Sequence, residues 1–502
     1  MNKQENQSKK NNITKYLESK IVEENQITQT KITINSEELS LFYIESLIDK
    51  KLFASSILAP IERIKKDISN NKENIFNEVK KAISVSNTIE TSDIKQIENN
   101  LFSGFVLLAN KDKVLCCPIY SVAKRGIQEP PSSKVLKGPR EGFVEDITTN
   151  MGLIRKRIKS FDLKIKTHQV GERSKTQVSI IYMENIAKPD IVKQVEAIIT
   201  SINIDAIIDS YYISSYLEGR KIKIFKRVGN TEKPDIFCSK ILEGRVGILV
   251  DGSPLALTVP FILIEDLQSS GDYYSTPAIA TFSRMLRFFG LIISIIIPAI
   301  YVSLQSYNYR ILPINFLITL LSSIEGLSFP PLLEILLVLF LFEIISEASV
   351  LMPSALGMAL SIIGALALGN TAVDAGIISP PSIVIIAISS VSIHIIPDQF
   401  DATRLLRIVF TLIGGIIGLY GVFIGVIFLM TYLCSIESFG VPYLTPYSPT
   451  INYDKKDGFI MKPIQDMKYR PMSIAGKNKI RQGKDKWHHD NFIIYFQLLL
   501  FL

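Results

Sequence analysis

The chain has 502 residues, 47% hydrophobic and 21% charged, with 55 Lys and Arg against 48 Asp and Glu, for a formal net charge of +7. Its mean hydropathy of +0.26 is too high for an ordinary soluble protein and too low for a chain embedded in lipid throughout. The charges are segregated: residues 1–284 hold 76 of 103, residues 285–453 only 12, and residues 454–502 the remaining 15, which argues against a single soluble enzyme.

The first residues, MNKQENQSKKNN, have no apolar core region behind them, so no secretory signal is expected and the first 280 residues are assigned to the cytoplasmic side. Residues 1–30 read as a disordered polar lead. Residues 31–150 read as a first small α/β subdomain. LFYIESLIDKKLFASSIL (41–58) runs from strand into helix, and GFVLLA and VLCCPI within 101–119 flank a polar turn as a hairpin does. Residues 151–280 form a second. TQVSIIYM (176–183) is a buried strand, and 188–202 sets Ile191, Val192, Val195, Ile198 and Ile199 at helical spacing. A helix over 233–244 stops at Gly244, and 245–259 is a hairpin turning on Asp251, Gly252, Ser253 and Pro254.

Cys116, Cys117, Cys238 and Cys434 make no CxxC pair and no zinc-like cluster with histidine, so neither a metal nor a cofactor is expected. Adjacent Cys116 and Cys117 look like apolar strand residues in a reducing compartment. The basic stretches 132–142 and 155–159 lack any phosphate-loop or dinucleotide fingerprint, and their charges alternate in sign with their surroundings, against a nucleic-acid partner. Lone His168 and His394 and the pair His488–His489 suggest neither metal nor catalysis.

Residues 281–440 read as a helical membrane domain followed by a basic cytoplasmic tail, 441–502. Uncharged stretches give spans of about 288–309, 350–373, 375–397 and 408–436, each long enough for a hydrocarbon core of about 30 Å. The intervening 311–347 carries Glu334, Glu343 and Glu347 and is either re-entrant or two further helices. Ionised carboxylates cost about 2.5 kcal/mol or more in lipid, so these three face protein, water or the membrane surface. Glu343 and Glu347, four apart, share a helix face, with Glu334 displaced from it. The tail from 454 has ten Lys and Arg against five Asp, which places it inside and requires an even number of crossings, four or six.

Tyr273, Tyr274, Arg284 and Arg287 are expected to anchor the first span at the interface. Gly357, Gly364, Gly418, Gly421 and Gly425 are expected to let helices pack closely. Arg404 and Arg407, with Asp398 and Asp401, read as a short outer connection. The acidic side chains are candidates for a pore mouth, with 353–369 lining the pore. The competing reading pairs them with Arg284, Arg287 or Arg310, or has them hydrogen-bond at the membrane surface.

The runs KGPREGFVEDITTNMGLIRKRIK (137–159), EGRVGILVDGSPLALTVP (243–260), DYYSTPAIATFSRMLRFFGLIISIIIPAIYVSL (272–304) and SFGVPYLTPYSP (438–449) resemble the A subunit of the GerA family of spore germination receptors, in order and over about residues 40–470. The hydropathy and charge pattern makes the chain multi-pass with both termini cytoplasmic, and the resemblance implies a protein of the spore inner membrane. It further implies self-oligomers, a transporter-like B subunit that binds the nutrient, and a lipoprotein C subunit. It points to a germinant-gated cation channel and carries no catalytic residues. The alternative is a non-conducting scaffold that docks the nutrient-binding subunit. A secondary transporter is disfavoured by the lack of paired broken repeats. The apolar close, NFIIYFQLLLFL (491–502), departs from the family's basic tail.

Overall fold

A computed structural model describes residues 13–23, 27–34, 37–67, 75–83, 85, 87–110, 113–119, 138–220, 224–327, 329–351, 369 and 371–482. Gly357 and Gly364, the proposed pore-lining stretch up to 368, most of the expected span 350–373, His488–His489 and the terminal run 491–502 lie outside the described residues. Two compact units divide the chain. One takes in the described residues of Met1–Lys221, Val228–Pro260 and Lys468–Leu502, the other those of Ile222–Arg227 and Phe261–Met467.

The first unit holds two five-stranded sheets. In the first, β1 (Ile27–Ile34), β2 (Glu37–Ile44), β3 (Ile89–Thr91), β4 (Phe105–Asn110) and β5 (Lys113–Pro118) pair antiparallel in the order β1-β2-β4-β5-β3. The hairpin expected over 101–119 is β4 and β5. Helices cover both faces, so the central strands β4 and β5 are continuous apolar runs rather than alternating ones. Leu39, Leu41, Val106, Leu108, Leu115 and Cys117 meet Phe53, Ile57 and Ile61. That side also carries α2 (Ala59–Asp67) and α3 (Ile75–Ala82). Phe42, Ile44, Leu107, Val114 and Cys116 point the other way, to α1 (Ile13–Glu23) and α4 (Ile94–Leu101). Cys116 and Cys117 are therefore neighbours in sequence on opposite faces. The lead expected to be disordered contains α1, because Ile13 and Leu17, four apart, give it one apolar edge that is buried.

The second sheet consists of β6 (Leu163–Val170), β7 (Thr176–Met183), β8 (Gly229–Thr231), β9 (Val246–Val250) and β10 (Ala256–Val259), in the order β6-β7-β9-β10-β8, again antiparallel. Around it lie α5 (Ile147–Arg157), α6 (Pro189–Thr200), α7 (Ser210–Glu218) and α8 (Pro234–Leu242). The two sheets share one strand order and one succession of elements: a helix, two strands, two helical segments, a strand, a helix, two strands. The subdomains are thus a structural duplication that the sequence does not advertise. Residues 468–482 return to the second sheet. Ala475 joins its core, Gly476 N–H donates to Ile186 O at 2.7 Å, and Lys188 Nζ donates to Ser473 O.

The second unit is helical: α9 (Pro277–Ser306), α10 (Ile314–Ile324), α11 (Pro331–Leu351), α12 (Pro380–Ile393), α13 (Phe400–Ile417) and α14 (Leu419–Ser435). Among the described residues α9 is the one helix long and apolar enough to cross a membrane by itself. The pair α12 and α13 qualifies only if counted together across a 108° bend. The stretch 408–436, expected as one span, is broken at Gly418, whose φ of +78° ends α13 and starts α14 in a conformation that favours glycine.

Candidate functional site

Side-chain contacts inside the helical unit fix the relative direction of its helices. Ser389 Oγ donates to Ser294 O and Ser382 lies beside Tyr301, so α12 runs antiparallel to α9. Ser303 Oγ donates to Gly414 O, and Tyr307 OH to Gly415 O and Ile416 O, so α13 runs parallel to α9. The two tyrosine bonds satisfy carbonyls that the end of α13 leaves unpaired. Close approach here depends on Gly414, where a Cβ would lie 2.5 Å from Ala299 O. Gly421 and Gly425 let α14 lie on Ile413, Ile417 and Phe410 of α13. Their contacts are within the subunit, whereas Gly418 makes the turn between the two helices.

The three carboxylates of α11 meet different partners. Glu343 is bound by Arg407 Nη2 and Arg404 Nε, both at 2.5 Å. Arg404 Nη1 reaches Glu347 at 3.4 Å, and Arg404 also lies over the Phe400 ring. Arg407 is buried and donates to Ser389 and Ser390 on α12 as well, so this ion pair joins three helices. The partners of Glu343 and Glu347 are therefore Arg404 and Arg407, not Arg284, Arg287 or Arg310. Arg404 and Arg407 lie inside α13 rather than in an outer connection. Arg404 and Arg407, three apart, face Glu343 and Glu347, four apart, across an antiparallel helix pair, which is the geometry that ridge spacing allows.

Glu334 lies at the opposite end of α11. It is fully buried, and its Oε1 accepts both the N–H and the Oγ–H of Ser379 at 2.7 Å. Ser379 Oγ is 2.8 Å from Ser382 Oγ, which lies 3.4 Å from the Tyr301 hydroxyl. Ser379 is the residue that precedes α12, so Glu334 caps a helix N-terminus from outside it.

The residues expected as interfacial anchors are gathered near the start of α9. Arg284 is fully buried. Its Nε donates to Asp272, and its Nη1 to Asp457 Oδ1, Asp457 O and Gly458 O. Arg287 makes a two-pronged bond to Asp272, and the Tyr273 hydroxyl donates to Asp457 Oδ2. Tyr274 is exposed. Burial raises the Asp272 carboxyl, but the Arg287 bond, the Ser269 N–H and the two guanidinium charges outweigh it and hold it below the ordinary 3.8. This clasp pins residues 457–458 to α9.

A second polar knot was invisible in the sequence. Lys226 Nζ lies 3.0 Å from Asp266 and 2.9 Å from Asp398, and 4.9 Å from the centre of the Phe261 ring. Gln399 donates to the other oxygen of Asp266. Burial, against the pull of Lys226 and with the repulsion of Asp398, pushes the Asp266 carboxyl up to about 6. Phe225 packs beside Tyr432 and Tyr443. Only a charged Lys226 beside two widely separated Asp residues hinted at the knot, and spacing gave no reason to join them.

The class these features define is a chain of duplicated α/β sheets joined to an apolar helical unit with internal ion pairs. Residues 15–473 match the Bacillus/Clostridium GerA spore germination protein family, and the chain belongs to that family. It is 32% identical over 452 residues to spore germination protein KA of Bacillus subtilis, covering 89% of this chain and 83% of that one. It is also 32% identical over 450 residues to the uncharacterized membrane protein YfkQ of the same organism, covering 88% and 87%. The solved N-terminal domain of the A subunit of the Bacillus megaterium spore germinant receptor GerK3 aligns at a TM-score of 0.39 with 25% identity, covering 50% of this chain and 97% of that one.

Proposed function

We propose that this protein is the A subunit of a nutrient germinant receptor in the spore inner membrane, and that its helical unit contributes to an oligomeric, germinant-gated cation path. The observation that carries the reading is α11. An otherwise apolar helix brings three carboxylates into the helical unit, and none of them is left facing lipid alone. Carboxylates kept at membrane depth against such a cost mark ion pathways more often than scaffolding.

An even number of crossings is proposed, with the sheet-bearing subdomains and residues 468–482 on the cytoplasmic side. Residues 261–467 leave the sheet-bearing unit at Pro260 and return to it at Lys468, which favours an even count. The pairs Glu334–Ser379 and Glu343 with Arg407, itself bonded to Ser390, make α11 and α12 parallel, while α9 runs against both and α13 runs against α12 and α14.

Neutralisation of Glu343 and Glu347 by two arginines favours the other reading for those two residues: a non-conducting scaffold that docks a transporter-like nutrient-binding subunit and a lipoprotein subunit. Potassium flux from liposomes holding the receptor with these partners separates the two. Germinant-triggered release that falls in Glu334→Gln is expected. If the complete receptor never conducts while Glu-to-Gln variants still support germination, the channel reading fails. Impermeant maleimide should label cysteines placed at Arg173 and Ser473 from one side and at Tyr309 from the other.

A further inference from the structure

We infer that Glu334, Ser379, Ser382 and Tyr301 form a binding site for one monovalent alkali cation, centred on Glu334 Oε2. The inference deepens the cation-path reading, on which it rests for the expectation that cations reach this depth, but its geometry stands apart from conduction. Of the carboxylates on α11, Glu334 is the one with no cationic partner among the described residues, and it is also the most deeply buried. Its Oε1 holds two hydrogen bonds from Ser379, while Oε2 is buried with no hydrogen-bond partner among the described residues. A buried carboxylate that is neither paired nor fully hydrogen-bonded is strongly unfavourable.

A proton, a buried water or a cation could relieve that cost, and a water alone would satisfy the oxygen while leaving the charge uncompensated. A protonated carboxyl would neutralise the charge but would need an acceptor of its own for the O–H. It would also forfeit the attraction of the α12 N-terminus for negative charge. Pro380 and Pro381 follow Ser379 and carry no N–H, so the Ser379 N–H is the backbone donor that terminus gives Glu334. A cation on Oε2 satisfies the oxygen and neutralises the charge together.

The surrounding donors fit this occupant. Ser379, Ser382 and Tyr301 provide a chain of hydroxyl oxygens that starts at Glu334 Oε1, 2.8 and 3.4 Å from one hydroxyl to the next, hard neutral ligands suited to hard cations. One carboxylate balances one positive charge. A divalent ion would leave a net charge within a cluster of Val302, Leu320, Ile335, Val338, Leu339 and Ile386, an apolar surrounding that disfavours it.

The test uses the purified full-length protein in detergent, melted in potassium, sodium or N-methylglucamine chloride at equal ionic strength. The wild type is expected to gain melting temperature saturably with potassium or sodium over N-methylglucamine. Glu334→Gln should abolish that gain. Ser382→Ala, which removes a neutral ligand and decides the matter if the first variant does not fold, should raise the half-saturating ion concentration about tenfold. Equal melting in all three salts, an ion response retained in Glu334→Gln, or an unchanged half-saturation in Ser382→Ala overturns the site. A Glu334→Gln protein more stable than wild type in every salt would also overturn it, in favour of a protonated carboxyl. Because the reading is an equilibrium melt, failure of liposome flux would leave the site standing, and absence of an ion response in the melt would remove the site while leaving the cation path to be judged by flux alone.

Discussion

Arg407→Ala removes one side of an ion pair that three helices share. The guanidinium is almost wholly buried and holds Glu343, Ser389 and Ser390 together. Its loss leaves Glu343 with Arg404 alone, and Arg404 must then serve both Glu343 and Glu347. Removing one partner of a buried pair costs about 3–5 kcal/mol, because the remaining charge stays in place without compensation. For a cooperative unit of this size a kcal/mol moves the melting temperature by about 2–4 °C, so the expected fall is about 6–20 °C. Intrinsic-fluorescence melts of the detergent-purified protein measure it. The double variant Glu343→Leu, Arg407→Met, which replaces both charges with apolar groups of similar volume, should recover most of the loss. The coupling between the two positions should then be about 0.5–3 kcal/mol. A single variant that melts within about 2 °C of wild type, or a double variant whose loss is the sum of the singles, would refute the claim that this pair holds the helices together.

Asp457→Ala opens the clasp at Arg284 and Tyr273, and the loss of charge-assisted bonds costs about 1–3 kcal/mol; faster tryptic cleavage at Lys455 and Lys456 is expected, and an unchanged digest would refute it. Asp266 has a folded value of about 6 against an ordinary 3.8, so the native state binds more protons between those values and stability falls as pH rises through that window. Asp266→Asn should flatten the slope there in pH-dependent melts, whereas an unchanged slope would locate its origin elsewhere. Burial pushes the thiols of Cys117 and Cys238 up to about 12 and raises that of Cys116. These three should resist iodoacetamide until the protein is denatured, leaving Cys434 as the exposed thiol.

What the sequence revealed follows from the range over which each interaction acts. The β4–β5 hairpin, the strand at 176–183 and the helices after it depend on neighbours a few residues away, and apolar period with turn residues exposed them. The partners of Glu343 and Glu347 lie more than fifty residues along the chain. Arg404 and Arg407 beside Asp398 and Asp401 looked self-neutralising, and no local pattern separates that from a cross-helix pair. Gly418 was one glycine in a run at helical spacing, and only its positive φ distinguishes a break from a packing contact. The duplication stayed hidden because strand order is set by pairing across the sheet, and two sheets can share it with little common sequence. The helix at Ile13–Glu23 was missed for a smaller reason: two apolar residues on one edge are enough when a sheet waits to cover them.

The placement of charge within the helical unit is itself an argument about mechanism. The Arg284 clasp, the Lys226 knot and the Glu347–Arg404 pair lie toward the starts of α9 and α13, which run parallel. From the first residue of α13, Arg404 is about 6 Å along the axis and Arg407 about 10 Å, at about 1.5 Å per residue. Glu334, thirteen residues from Glu347 along α11, lies about 20 Å away toward the other end. Arg404 and Arg407 thus neutralise the carboxylates at one end of α11, and the one at its far end is left to hydroxyls and a helix terminus. Beyond capping α12, a purely structural arrangement gains little from that carboxylate, since an apolar residue of similar volume would leave no unsatisfied oxygen among Ile335, Val338 and Ile378. Glu334→Leu is therefore the sharper variant. If it melts higher than wild type and the receptor still responds to germinant, the carboxylate serves nothing beyond capping α12. If it melts higher and the response is lost, the charge is retained for function at the expense of stability.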